Sequence, residues 1–438
     1  MGKLKRMSQL EYHFGIKLRF YPSDKQKRII KHNYDAQRFV YNQYVGINRL
    51  AYRVHATSRV KQLNGPLPFV MGQMNAFETA QVNNMLELKS SIVTPKALRD
   101  KFAFLRVKDI DSLSLANAVQ NYNKAWKNYH KIGCGIPTFH KKRSDWSYQT
   151  NCQYIEQDQA YLDNGTVRFI DLKHVRVPKL GIVRISGLRK LVRERFKAQI
   201  PTRIGTVTIK KTADNQFYLA MQLGSDTQFV KPKVQTGKQL GIDLNLDNFL
   251  TDSNGAVVAN PRFYRKNKLR IARLQRVLSR RQRRAKSEGR ALRNSRNYQK
   301  QRQKVASLQA KIRRQRQNFL HILSTALIEN QDLVVAEELR SKNLIKNHAL
   351  ALSISDVGWR TFLSMLEYKA NLYGKQFATI DPKYTTQRCN NCGTIMGRNG
   401  YRKLSLRDRE WTCPLCHTKH IRDWNAAKNI LEKYQGTW

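Results

Sequence analysis

The sequence predicts a multidomain α+β protein: a helical domain, a small β-barrel or β-sandwich, and an α/β domain with an inserted four-cysteine zinc ribbon. Three patterns support this prediction. Apolar residues recur at helical spacing in the first part of the chain, alternate at strand spacing in the next, and then form short apolar runs between helical segments. Two Cys-x-x-Cys pairs separated by twenty residues follow near the end of the sequence.

The net charge of the chain indicates a polyanionic partner. Its 438 residues allow about three domains, and an apolar content of 41% is typical of globular proteins. The 81 Lys and Arg residues outnumber the 31 Asp and Glu residues, and the resulting charge of +50 would repel itself without a polyanion. Nucleic acid is the expected partner. Because we find no long apolar run, signal-peptide pattern or lipidation motif, we expect a soluble intracellular protein with no membrane partner.

The first part of the chain has a strand pattern followed by helical patterns. Residues 12–22 alternate between apolar and polar side chains, and Ser23 with Gln26 forms a capping-box sequence that predicts a helix to about His55. The clearest helical spacing further on belongs to Leu115, Val119, Tyr122, Trp126 and Tyr129. We therefore predict a helical domain over residues 23–131.

The second predicted domain consists of strands. Phe217 begins an alternating apolar run, and the turn at Asp214 and Asn215 just before it predicts a β-hairpin. We assign residues 132–236 to a β-barrel domain and expect the strand within residues 1–22 to join it.

The third predicted domain, residues 237–388, has α/β character and contains a strongly basic stretch. Residues 262–316 hold 22 Lys and Arg residues against one acidic residue, Glu288. A thin apolar stripe predicts a helical hairpin here, followed by a separate helix with the sequence FLHILSTALIEN. Because a solvated face normally mixes charges of both signs, we predict that this hairpin contacts nucleic acid. The candidates for this contact are Arg280, Arg281, Arg283 and Arg284.

The two Cys-x-x-Cys pairs predict a zinc ribbon over residues 389–416, before a last segment of the α/β domain at residues 417–438. The predicted ligands are Cys389, Cys392, Cys413 and Cys416. Four thiolates leave no open position on a tetrahedral ion, so we expect one structural zinc ion. Two alternatives exist: His417 or His420 replaces one cysteine, or CPLCH is a haem-attachment signature.

Three carboxylates occupy comparable places in the α/β domain. Asp243 lies in its first strand, Glu337 ends a later strand, and Asp423 begins the last helix. Converging carboxylates repel one another unless hard divalent cations neutralise them. Two Mg²⁺ ions at such a site would activate water and stabilise the leaving oxygen of a phosphodiester, as in ribonuclease-H-like nucleases. Glu338 is an alternative to Glu337, and Asp423 alone could be a helix cap.

Several motifs together resemble the TnpB family, the RNA-guided DNA nucleases encoded by bacterial insertion-sequence transposons. In order along the chain, they are GIDLNLDNFLTDSNG, VVAEEL, YTTQRCNNCG, CPLC and DWNAAKNIL. YPSDKQ and the passage from NAVQNYNKAW to GIPTFHKK resemble the N-terminal regions of that family. The sequence departs from the family at His417, where glycine is usual, and at GIPTFHKK, where the family has a glycine-proline-lysine run.

The resemblance implies a specific architecture and activity. It implies a helical recognition domain, a wedge-like barrel and a RuvC-like, RNase H-like nuclease domain that uses Mg²⁺ at Asp243, Glu337 and Asp423. Glu337 is preferred to Glu338 because AEEL resembles the family's acidic pair, in which the first residue is catalytic. It further implies a guide RNA, a double-stranded DNA target beside a short flanking motif, a monomer with RNA, and a nucleoid-associated location in the cytoplasm of a prokaryotic cell.

Three other functions remain open at this point. A compact type V CRISPR effector nuclease would share most of these features, and the neighbouring genes would distinguish it. A guided binder without nuclease activity would lack Mg²⁺-dependent cleavage. A transposase or DNA-binding protein acting without a guide would join DNA ends with no RNA present.

Overall fold

A computed structural model divides the chain into two units, Met1–Phe229 and Val230–Trp438. It describes residues 4–56, 80, 94–156, 158–338, 356–405 and 407–437. The middle of the predicted helical domain, at residues 57–79 and 81–93, lies outside the described residues. Within the described ranges, no helix combines the length and apolar character needed to cross a membrane.

The sheet of the first unit is built around strand β1, Tyr12–Tyr21, which buries every second side chain. The sheet has seven strands in the order β2-β6-β7-β1-β5-β4-β3, and β1 pairs antiparallel with β7 and β5. The other strands are β2 Trp146–Asn151, β3 Arg168–Phe169, β4 His174–Val177, β5 Gly181–Ser186, β6 Arg203–Lys211 and β7 Phe217–Ser225. The alternation seen in the sequence therefore gives one buried and one exposed face.

Four helices accompany this sheet in the described residues: α1 Asp24–Ala56, α2 Pro95–Lys101, α3 Ser112–Ile132 and α4 Lys190–Lys197. The capping box at the start of α1 is present, since the Ser23 N–H donates to Gln26 Oε1 at 2.9 Å and the Gln26 N–H donates to Ser23 Oγ at 3.3 Å. Helices α1 and α3 pack together through buried apolar side chains, including Val40 and Leu115.

The sheet of the second unit has five strands in the order β10-β9-β8-β11-β12. They are β8 Gln239–Asp243, β9 Asn248–Asp252, β10 Val257–Ala259, β11 Leu333–Glu337 and β12 Gln376–Ile380. Strands β8, β9 and β10 form an antiparallel meander, whereas β11 runs parallel to both β8 and β12. The ends of β8 and β11 therefore lie at the same edge of the sheet.

Helices cover both faces of this second sheet. The described helices are α5 Phe263–Ser287, α6 Arg296–Asn330, α7 Trp359–Tyr373 and α8 Arg422–Gln435. Side chains of α6 and α7, such as Leu320 and Phe362, pack on one face against Ile242. On the other face, Ile430 of α8 packs against Val335. The apolar residues of β8 and β11 are buried on both sides, as expected for central parallel strands.

Helices α5 and α6 form the basic hairpin, but its second helix is longer than predicted. We expected the hairpin to end at residue 316 and a separate helix to follow. Helix α6 instead continues without interruption to Asn330. The buried stripe of Leu308 and Ile312 continues through Leu320 and Ile328, so nothing in the sequence interrupts the helix.

Candidate active site and four-cysteine cluster

Asp243 and Glu337 lie side by side at the end of two parallel strands. In the register of β8 and β11, Ala336 is opposite Ile242, so the next residue of each strand is one of these carboxylates. Both line a cavity of about 640 Å³ in the second unit. Asp243 is buried, with 6% of its surface exposed. Glu338 is exposed, and its N–H donates to Ile380 O at 2.8 Å. The strand thus directs Glu337, and not Glu338, to the cavity.

Asp423 is brought to the same edge by helix α8, which begins one residue earlier. The helix packs very closely on β8: a Cβ atom at Gly241 would lie 2.2 Å from the backbone oxygen of Ala427. Only glycine fits this approach. Asp243 and Glu337 are 94 positions apart in the sequence, and Glu337 and Asp423 are 86 positions apart. The fold brings all three carboxylates close enough for their charges to interact. Asp423 is not among the residues that line the cavity.

The electrostatics of the site reflect this proximity. Burial raises the pKa of Asp243 well above its usual range, and the negative charges of Glu337 and Asp423 raise it further. Arg422 and a hydrogen bond with Asn245 act in the opposite direction. Burial also raises the pKa of Glu337, opposed by a hydrogen bond from Thr385. The cluster therefore favours a cation or bound protons.

Two arginines that the sequence did not single out stand next to Asp423. Arg409 Nη1 lies 3.6 Å from Asp423 Oδ2, and Arg422 Nε lies 3.4 Å from Asp423 Oδ1. Both arginines line the cavity. Asp423 Oδ1 is buried and has no hydrogen-bond partner, which fits an oxygen that ligates a metal ion. In the sequence, Arg409 is one of several basic residues between the two cysteine pairs, and no pattern distinguishes it from the others.

The four cysteines of the predicted ribbon lie together in the second unit. Their sulfur atoms are all within 4.8 Å of one another. The Sγ–Sγ distance is 3.6 Å between Cys389 and Cys416 and 3.5 Å between Cys392 and Cys413. Tetrahedral zinc with Zn–S bonds of about 2.3 Å requires sulfurs about 3.8 Å apart, so this cluster fits a metal such as zinc. His420 Nε2 is also 3.0 Å from Cys389 Sγ.

Two similar turns position these cysteines. The Cys389 N–H donates to Thr394 O at 2.8 Å, and the Cys413 N–H donates to Thr418 O at 2.9 Å. Gly393 follows the first pair with a φ of +78°, and His417 occupies the same place after the second pair with a φ of +56°. Strands β13 Glu410–Thr412 and β14 Lys419–Ile421 form a hairpin around the second turn. A histidine is therefore held in the left-handed conformation that glycine adopts more easily.

The pKa values of two of the thiols are shifted in opposite directions. Burial raises the pKa of Cys389 to about 12, whereas the hydrogen bond with Thr418 lowers the pKa of Cys416 to about 5. A bound cation would stabilise the thiolate form of both, as it does in zinc sites.

The four candidate arginines of the basic hairpin differ in their surroundings. Arg281 Nη1 donates to Asn297 O at 2.7 Å and joins the two helices, and Arg284 pairs with Glu288 at 2.9 Å. Arg280 and Arg283 are exposed on α5, and no protein partner is found for them in the described ranges. These two are therefore the better placed for contact with another molecule.

Family models match three parts of the chain. The model described as a probable transposase matches residues 218–348, and the model of the Cas12f1-like TNB domain matches residues 359–430. A model described as a helix-turn-helix domain matches residues 12–55. In the structure, that part of the chain folds as strand β1 followed by the single helix α1.

The fold resembles that of one protein in a solved protein–RNA–DNA complex. The cryo-EM structure of the Cas12f1–sgRNA–target DNA complex matches with a TM-score of 0.54 at 14% sequence identity, covering 96% of this chain and 98% of that chain. The described fold is therefore a Cas12f-like, mixed α+β, multidomain fold with a four-cysteine cluster.

Two relatives matched over most of their length define the family more closely. A putative RNA-guided DNA endonuclease from Streptomyces pristinaespiralis is 30% identical over 421 residues, which is 95% of this chain and 88% of the relative. The putative RNA-guided DNA endonuclease InsQ of Escherichia coli K12 is 27% identical over 340 residues, 74% of this chain and 75% of the relative. This chain belongs to the TnpB family.

Proposed function

We propose that this protein is an RNA-guided DNA endonuclease of an insertion-sequence transposon. The observation that carries the proposal is the convergence of Asp243, Glu337 and Asp423 at one edge of the second sheet, beside a cavity also lined by basic side chains. The names of the two long relatives give the same activity. The resemblance to the TnpB family implies that this five-stranded sheet, with its antiparallel meander and parallel strands, belongs to an RNase H-like nuclease domain.

The three carboxylates have the chemistry required to hold Mg²⁺, because hard divalent cations prefer oxygen ligands. Two bound Mg²⁺ ions would activate the attacking water and stabilise the leaving oxygen of a phosphodiester. The cavity lining includes Arg262, Arg265 and Lys268 beside the acidic residues. Their positive charges would attract the phosphate backbone toward the carboxylates, which would otherwise repel it. Zinc at the four cysteines would be structural, since four thiolates leave no open position.

Guide RNA and double-stranded DNA are the proposed partners. A bound guide would supply the counter-charge that a chain of +50 requires. In RNA-guided nucleases base pairing reads the sequence, and the protein contacts the backbone and a short flanking motif. The exposed Arg280 and Arg283 are suited to such backbone contact. The protein would then act where genomic DNA is present, in the cytoplasm of a prokaryotic cell.

A type V CRISPR effector is the less supported alternative. The Cas12f1 protein of Sulfoacidibacillus thermotolerans is 38% identical over only 63 residues, 14% of this chain. The two relatives named as RNA-guided DNA endonucleases cover 95% and 74% of the chain. Sequence similarity to Cas12f1 is thus limited to a short segment.

The test begins with the RNA that copurifies with the protein. This RNA is sequenced, and a plasmid matched to its guide segment is incubated with the protein and Mg²⁺. We expect the wild type to cleave the plasmid, Asp243→Asn to retain the RNA without cleaving, and Asp226→Asn to behave as the wild type. Asp226 is a suitable control because it is a surface carboxylate paired with Lys5. Absence of a discrete RNA, or equal cleavage by the Asp243 variant, would contradict the proposal.

A further inference from the structure

Thr385 lies in the turn between strand β12 and the first cysteine pair, and its hydroxyl group contacts Glu337. The residue is buried, with 1% of its surface exposed. Its Oγ1 donates to Glu337 Oε1 and also stands 3.0 Å from Pro382 O. A hydroxyl group has one proton and donates to one acceptor at a time. Contact with Glu337 therefore leaves Pro382 O as the weaker, alternative acceptor.

The backbone of Thr385 is held by the helix that contains Asp423. Asn429 of α8 is completely buried, and its Nδ2 donates to Thr385 O at 2.8 Å and to Arg388 O at 2.7 Å. Asn425, one turn earlier, donates to the same Arg388 oxygen at 2.7 Å. Buried amides with satisfied donors fix geometry more firmly than exposed ones, because breaking these bonds leaves polar groups without water.

The same segment is continuous with the four-cysteine cluster. Cys389 follows Thr385 after three residues, and the N–H of Asn390 donates to Asn425 Oδ1 at 3.0 Å. Asn390 lies inside the first cysteine pair, so closing that pair around a metal ion also fixes the residue that bonds α8. Glu337, helix α8 and the cluster are thus joined by one set of buried and partly buried hydrogen bonds.

We propose that Thr385 is a positioning residue that orients the carboxylate of Glu337 for metal binding, and that Asn429 and the first cysteine pair hold Thr385 in place. This inference rests on the proposed function. A glutamate side chain rotates about three bonds, and a hydrogen bond to one oxygen restricts which oxygen faces the metal. Such outer hydrogen bonds typically change metal affinity or activity by about 10–100-fold.

A structural role alone would lead to a different expectation. If the hydroxyl served only the turn through Pro382 O, valine would lower stability, because it leaves a buried acceptor without its hydrogen bond. Serine keeps the hydroxyl and would be the milder change, and the Mn²⁺ affinity of both variants would match that of the wild type. The proposal predicts instead that valine weakens Mn²⁺ binding and that serine does not.

The experiment measures Mn²⁺ binding to the purified protein with its RNA by electron paramagnetic resonance, which does not depend on cleavage. We expect Thr385→Val and Thr385→Ala to weaken the Mn²⁺ affinity by about 10–100-fold, and Thr385→Ser to remain within about threefold of the wild type. Thr212→Val is the matched control. Thr212 is also buried, and its hydroxyl contacts Asp214 Oδ1 at 2.5 Å and Gln216 O at 3.0 Å, in the first unit.

The outcomes are distinct. Mn²⁺ affinity that is unchanged in the valine and alanine variants, or lost equally in the serine variant, would overturn the proposal. A thermal melt compares the cost of the lost hydroxyl in Thr385→Val and Thr212→Val, and only the former is expected to change Mn²⁺ binding. If the Mn²⁺ series follows the expected order but the wild type cleaves no guide-matched DNA, Thr385 keeps its positioning role and the proposed function is wrong.

Discussion

Gly241 of strand β8 and Ala427 of helix α8 are in such close contact that a Cβ atom at position 241 would lie 2.2 Å from the Ala427 backbone oxygen. This contact fixes the distance between the helix and the sheet. Since Asp243 is two residues after the glycine and Asp423 is one helical turn before the alanine, it also sets how near those two carboxylates come. The site therefore depends on a residue that has no side chain and carries no chemistry.

Replacing this glycine should damage both stability and the site. We expect Gly241→Ala to lower the free energy of unfolding by about 1–3 kcal/mol, because α8 must move away from β8 to admit the methyl group. The same movement would separate Asp423 from Asp243 and reduce DNA cleavage. Thermal unfolding and the guide-matched plasmid assay measure the two effects. Gly15→Ala is the control, since Gly15 also lies in a strand but has nothing within 4 Å of the added Cβ; equal effects of both variants would contradict this prediction.

Local sequence patterns were sufficient to predict individual strands and helices and the positions of the three carboxylates at their ends. The alternation in β1, the capping box of α1 and the placement of Asp243, Glu337 and Asp423 at element ends are all local patterns. The gathering of the carboxylates at one point depends on strand order and on the packing of α8, which no local pattern states.

Other features of the site were not predictable for the same reason. Arg409 is one of several basic residues between the cysteine pairs, and only the fold places it beside Asp423. Thr385 is a polar residue in a turn, and its contact with Glu337 spans 48 positions. The prediction that the basic hairpin ends at residue 316 is wrong, because the change from basic to apolar composition falls within one continuous helix, α6.

The raised pKa of Asp243 gives a pH dependence to the metal-free protein. Because the folded state binds this proton more tightly than the unfolded state, stability falls as pH rises from the unfolded value of about 3.9 through the folded pKa. We expect Asp243→Asn to remove this loss and to be more stable than the wild type at pH 7–8 in chelator. Melting curves at several pH values measure it. If Asp226→Asn gained the same stability, the gain would come from the loss of a negative charge and not from the carboxylate cluster.

The left-handed conformation of His417 should cost stability in the metal module. We expect His417→Gly to stabilise it by up to about 1 kcal/mol, because glycine adopts a φ of +56° without strain but loses more entropy on folding. Gly393→Ala, at the matching position of the first turn, should have the opposite sign. The rate at which zinc is lost to a chromophoric chelator reports both variants. Slower loss from the Gly393 variant would contradict this account.

The basic hairpin offers a test that separates nucleic-acid contact from helix pairing. Replacing the exposed Arg280 and Arg283 by glutamine should weaken RNA binding and reduce the slope of log affinity against log salt by about 2, one unit for each lost phosphate contact. Arg281→Gln should instead lower the melting temperature, because it breaks the bond to Asn297 O. Filter binding over a range of salt concentrations measures the slopes, and an unchanged slope in the double variant would exclude these phosphate contacts.

Loss of the four-cysteine cluster should weaken metal binding at the three carboxylates, although no cysteine contacts them. Cys392→Ala removes one sulfur from the cluster, so we expect the zinc content to fall from about one ion per chain to near zero. Without the metal ion, the turn that contains Asn390 is no longer held closed, and its hydrogen bond to Asn425 is weakened. Thr385 is then no longer fixed beside Glu337. Mn²⁺ affinity at the carboxylates should fall by about 10-fold or more, while RNA is retained. Cys134 is an exposed cysteine in the first unit. Cys134→Ala is therefore the control, and it should change neither the zinc content nor the Mn²⁺ affinity. Normal Mn²⁺ binding in a zinc-free protein would show that the carboxylate site is held by the sheet and α8 alone, without help from the cluster.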